Sequence, residues 1–142
     1  MGVLISGSGL YTPNQSISNE ELVASYNSYV DKYNLENKQS INSGEIEPLI
    51  YSDAEFIKKV SGIEKRFVLD KEGILDPERM RPNLKQRSNE DISIQAEIAV
   101  DACKEAMKSA GRSAKDIDAV ICGCANLQRA YPAVAIEIQE AL

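Results

Sequence analysis

Three cysteines and no histidine set the terms for any chemistry in this 142-residue chain. A thiol acts as nucleophile or metal ligand only as the thiolate, which needs a cation, a metal or a helix N-terminus beside it. Cys122 and Cys124 sit two apart in the apolar run Asp118-Ala119-Val120-Ile121-Cys122-Gly123-Cys124-Ala125, and Cys103 is the only other thiol. Without histidine, that pair is half a metal site with no second half. A bridge between Cys122 and Cys124 would be strained and the cysteine count is odd, so we read buried, inert thiols in a reducing cytoplasm. No residue is assigned as catalytic, and no metal is expected.

Two further patterns invite chemistry. Gly7-x-Gly9 follows Val3-Leu4-Ile5 and suggests a dinucleotide loop, but the third position of G-x-G-x-x-G is Thr12 and no helical pattern opens behind it. Between Phe56 and Arg87, nine basic residues stand against five acidic ones, making that segment +4 in a chain of net charge −6. Such an island suits a phosphate-bearing or acidic partner, or else is a solvated mixed-charge loop. The overall acidity argues against general nucleic-acid binding.

These residues need elements to position them, and 43% hydrophobic content permits one domain with a core. No window approaches the roughly 18 apolar residues of a membrane span, and no basic stretch precedes Val3. A soluble, unexported protein is expected. Val3-Leu4-Ile5 reads as a buried strand running into a tight turn. Ser18-Asn19-Glu20-Glu21 is a capping box, followed by Leu22, Val23, Tyr26, Tyr29, Val30 and Tyr33 at helical spacing.

Residues 34–48 read as a polar connector or insertion whose role the sequence does not disclose. Ser52-Asp53-Ala54-Glu55 repeats the capping pattern and predicts a short helix through Val60, broken by Ser61-Gly62. Residues 63–69 alternate as a strand. Residues 70–89, interrupted by Pro77 and Pro82, read as an ordered basic loop. Residues 91–110 form the longest predicted helix, with a stripe through Ile94, Ile98, Ala102, Ala106 and Met107, and Gly111 at its C-cap. The apolar run 118–125 predicts a strand covered on both faces. Pro132 is placed at the first position of a last helix, whose pattern ends at Ala141-Leu142 with no capping glycine. From that we expect truncation or cleavage of a longer protein.

The order is α/β, and three segments resemble the β-ketoacyl-acyl-carrier-protein synthase III condensing enzymes. The first is Val3-Leu4-Ile5-Ser6-Gly7-Ser8-Gly9-Leu10-Tyr11-Thr12-Pro13 with Asn19-Glu20-Glu21-Leu22. The second and most specific is Glu55-Phe56-Ile57-Lys58-Lys59-Val60-Ser61-Gly62-Ile63-Glu64-Lys65-Arg66. The third runs from Asp116-Ile117-Asp118 to Ala130-Tyr131-Pro132-Ala133.

The resemblance implies the incomplete amino-terminal half of a thiolase-like fold, layered α/β/α, spanning residues 1–142. It implies Phe56 at a position where the family usually stacks a tryptophan on the coenzyme A adenine, Ser61 at a threonine beside the nucleotide, and Val60 where an arginine would stand. Tyr131 corresponds to an aromatic that lines the partner's acyl pocket across a homodimer interface. The implied activity is decarboxylative condensation of an acyl-CoA with malonyl-acyl-carrier protein in fatty-acid biosynthesis, in the cytoplasm, with acyl-CoA and acyl carrier protein as partners and no cofactor beyond the coenzyme A thioester substrate. The family's Cys-His-Asn groups would fall beyond Leu142, so these residues alone are expected to be inactive. Two alternatives stand beside this: a non-catalytic dimerisation or partner-binding module, and a related enzyme joining two acyl-CoA units or forming hydroxymethylglutaryl-CoA.

Overall fold

In the computed structural model, which describes residues 2–142, Ser18 caps a helix as its sequence predicts. Its hydroxyl accepts from Glu21 N–H at 3.2 Å, and the Glu21 carboxylate accepts from Ser18 N–H at 3.0 Å. This reciprocal pair starts helix α1, Asn19–Glu36, and such a cap contributes about 1 kcal/mol. Immediately before it lies strand β1, Gln15–Ser18, antiparallel to β2, Lys65–Val68, with Ile17 opposite Arg66. β1 was not predicted: Gln-Ser-Ile-Ser carries one apolar residue, and that residue, Ile17, is buried.

These elements belong to the first of two compact units, Pro13–Lys85. Within it, the connector at 34–48 contains a helix, α2, Lys38–Asn42. Helix α3, Ala54–Ser61, is capped by Asp53, whose carboxylate accepts from Phe56 N–H at 2.8 Å, so the cap lies one residue later than Ser52. The helix ends on Gly62 at φ +69°, a left-handed conformation that glycine adopts without steric cost. The predicted basic loop begins with helix α4, Lys71–Leu75.

Buried polar groups tie α1 to its neighbours. Asn19 donates to Ile63 O at 2.6 Å and accepts from the Arg66 guanidinium at 2.8 Å, while Ser25 Oγ donates to Leu75 O at 2.7 Å. Ile17 and Val30 are the apolar residues buried in this unit.

The second unit comprises the chain up to Thr12 together with Gln86–Leu142. Helix α5, Ile94–Ala110, starts three residues later than expected, capped by Ser93, and ends on Gly111 at φ +63° as predicted. Its buried face is Ala96 and Val100, which meet Val134 and Ile138 of helix α6, Val134–Ala141. The predicted stripe is therefore rotated. Ala102 and Ala106 lie instead against Gly7 and Gly9: a Cβ on Gly7 would stand 2.5 Å from Ala106 O, and one on Gly9 would overlap the Ala102 carbonyl. The glycine spacing serves close approach to a helix backbone.

Glu137 of α6, 6% exposed, accepts from Ser93 N–H at 3.0 Å and from Ser93 Oγ at 2.6 Å, with Arg129 Nε at 3.9 Å. A carboxylate at the start of α5 complements the helix dipole there. Pro132 is two residues before α6 rather than its first residue, and the Tyr131–Pro132 peptide is cis.

Two predicted strands did not form. Val3, Leu4 and Ile5 are exposed, as is Ile121 at 96%, and among the described residues the sheet has only β1 and β2. A strand exists through its ladder partners, and no backbone ladder reaches these segments. Nor is the Cys-Gly-Cys run buried: Cys124 is exposed, with Sγ 2.7 Å from Asn126 O, whereas Cys103 and Cys122 are half-buried.

Candidate functional site

α3 places Phe56 in its first turn, three residues after the Asp53 cap, and leaves the residue 61% exposed. The residue borders a cavity. The cavity, about 470 Å³, is walled by Leu22, Val23 and Tyr26 of α1, by Ile50–Asp53 before α3, and by Phe56, Ile57 and Met80. That volume falls in the range of small-molecule sites, and a mostly apolar lining with a few polar groups is their usual composition.

The segment before α3 is held by side-chain amides of α1. Asn27 donates from Nδ2 to Ser52 O at 3.1 Å and accepts from Ser52 N–H at 2.9 Å. Asn34 makes the same pair with Leu49, both at 2.9 Å. Between them the Tyr51 hydroxyl donates to the Asp31 carboxylate, and that bond raises the tyrosine pKa above its ordinary value. Tyr51, Tyr26 and Met80 had no place in the sequence reading of this site. The available signal was the spacing of Asn27 and Asn34, seven residues apart and so on one face of α1.

Ser61 is the last residue of α3 and does not line the cavity. Its hydroxyl donates to Ile57 O at 2.6 Å and accepts from Ile63 N–H at 3.1 Å, which closes the turn into β2. Val60 is exposed. Tyr131 belongs to the other unit, in the loop before α6, and is 88% exposed.

The basic island is largely engaged within the chain. Lys58 pairs with Glu64 at 2.7 Å and Lys71 with Glu21 at 2.5 Å; Arg87 pairs with Glu97, and Arg66 binds Asn19. Hydrogen bonding between Lys58 and Glu64 raises the lysine pKa and lowers that of the glutamate. Lys65 lies over its neighbour's ring, 5.2 Å from the Phe67 centroid. Among the described residues no cluster of three metal-ligating side chains occurs, and no helix is long and apolar enough to cross a membrane.

No family model matches the chain. Curated relatives do. The chain is 56% identical over 118 residues to a beta-ketodecanoyl-[acyl-carrier-protein] synthase of Pseudomonas aeruginosa, covering 83% of this chain and 34% of that protein. It is 40% identical over 65 residues to the beta-ketoacyl-[acyl-carrier-protein] synthase III 1 of Bacillus cereus and to that of Bacillus anthracis, covering 45% of this chain and 21% of each. It thus spans about a third of the length of the Pseudomonas relative, and less of the others. Identity of that extent, over 83% of its own residues, places this chain in the β-ketoacyl-[acyl-carrier-protein] synthase III-like family.

Proposed function

We propose that the chain is part of an acyltransferase that condenses an acyl-CoA with malonyl-acyl-carrier protein in fatty-acid biosynthesis. The observation that carries this reading is the 56% identity to a beta-ketodecanoyl-[acyl-carrier-protein] synthase across most of the chain. In the reaction a cysteine thiolate takes the acyl group from coenzyme A, releasing the CoA thiol. Loss of carbon dioxide from the malonyl group leaves a carbanion, which attacks the acyl-cysteine thioester, frees the cysteine and yields a 3-oxoacyl product on the carrier protein.

These 142 residues contain no histidine, so any imidazole that stabilises the carbanion comes from outside them. Their contribution is to substrate holding. Phe56, open beside an apolar cavity, supplies a face for the adenine of coenzyme A. Ser61 fixes the turn behind it, and Tyr131 extends from its loop toward a second copy in a homodimer. The layered thiolase-like arrangement and a cytoplasmic location belong to the same proposal.

The test is made on the full-length polypeptide carrying this sequence, supplied with acyl-CoA and malonyl-acyl-carrier protein. Release of free CoA and formation of a 3-oxoacyl-carrier protein are expected. Decanoyl in the relative's name makes medium-chain acyl-CoA the first substrates to try. The 142-residue chain alone is expected to give no turnover, and turnover by it would overturn the assignment of catalysis to residues elsewhere.

A further inference from the structure

Phe56 alone offers one phenyl face, less than a bound heteroaromatic ring can use. Ile50, Tyr51 and Ser52 line the same cavity, and the manner in which that segment is held is unusual. Ile50 is 81% exposed and Tyr51 58%, so apolar packing does little to fix them. No strand of the sheet pairs with the segment. The two asparagine clamps take that role: each exchanges two bonds with one backbone residue, the pattern a neighbouring strand would supply. Asp31, on the same face of α1, takes the Tyr51 hydroxyl. The two asparagines thus fix the backbone of the segment that carries Tyr51.

We propose that Tyr51 is a second ring-contacting residue of the Phe56 cavity and that Asn27 and Asn34 are its positioning residues, so that the segment after the 34–48 connector forms a wall of the nucleotide site. The proposal rests on the reading of that cavity as the place where the base of coenzyme A is held. It gives the connector a role: its far end is clamped as a binding surface, at the expense of no core.

Binding of adenosine 3′,5′-bisphosphate, the nucleotide part of coenzyme A, to the full-length polypeptide carrying this sequence is measured by isothermal titration calorimetry for wild type, Tyr51→Leu, Tyr51→Phe and the double variant Asn27→Ala/Asn34→Ala. Tyr51→Leu is expected to weaken binding about tenfold, the effect of losing one stacked ring. Tyr51→Phe keeps the ring and should stay close to wild type. The asparagine double variant should weaken binding comparably to Tyr51→Leu while retaining its helical circular dichroism.

A wild-type chain that binds, with Tyr51→Leu binding equally well, overturns the proposal and leaves the nucleotide site standing. A folded double variant with wild-type affinity overturns the positioning role. A wild-type chain that shows no binding overturns the nucleotide reading and this inference together. If the double variant does not fold, Tyr51→Leu decides, because an exposed ring can be truncated without disturbing a core.

Discussion

Gly9 illustrates how a single hydrogen can decide the packing of an element. An added Cβ would overlap the Ala102 carbonyl and stand 2.5 Å from Ala106 N, both backbone atoms of α5 that cannot swing away. The segment or the helix would have to move, and overpacking of this kind costs about 1–3 kcal/mol. Gly9→Ala should therefore lower the urea midpoint of unfolding clearly. Gly123→Ala is the control: nothing lies within 4 Å of its Cβ position, and an effect within about 0.5 kcal/mol is expected. Equal effects at the two sites would refute the close-approach account. The same residues explain why Gly7-x-Gly9 was ambiguous as sequence. A glycine required by a neighbour and a glycine required by a ligand look alike until the neighbour is known.

Elements that carry their own end signals were legible. Ser18 with Glu21, Gly62 and Gly111 mark helix ends through bonds and dihedrals within a few residues. α4 escaped because its local signal is spent elsewhere: Asp70 at its N-cap makes no capping bond, and its carboxylate accepts from Asn83 N–H instead. The cavity was half legible for a related reason. Phe56 lies in a recognisable pattern, whereas the clamps join side chains to backbone 15 and 25 residues away and leave no periodicity.

At the start of α1 the Glu21 carboxylate serves two elements, accepting from Ser18 N–H and pairing with Lys71 at the first position of α4. The lysine first, then the backbone bond, holds the Glu21 pKa below its ordinary 4.5. A carboxyl with a depressed folded pKa contributes its stability in full above the unfolded value and loses it as pH falls through the folded one. Wild type should thus lose stability on acidification below 4.5, and Glu21→Gln should lose less across the same range. Urea midpoints measured from about pH 6 to pH 3 check this, and parallel curves for the two proteins would exclude it.

At the scale of the whole chain, apolar surface is unevenly disposed. Val3, Leu4 and Ile5 are exposed at one place, and Ile121 stands 96% exposed at another. Their backbones have no ladder partner among the described residues. Unpaired backbone beside exposed apolar side chains is open to pairing with another chain. The sequence marks both runs as apolar and predicts a buried strand at each, yet burial and pairing depend on what lies against them, and periodicity carries no information about that. Isolated as 142 residues, the chain should self-associate with rising concentration in sedimentation velocity. Ile5→Lys with Ile121→Lys should shift it toward monomer, because a charge on each segment penalises desolvation at the contact. If wild type stays a monodisperse monomer throughout, these segments are not adhesive, and the reading of the chain as a self-sufficient, non-catalytic module gains the support that its open apolar surface now denies it.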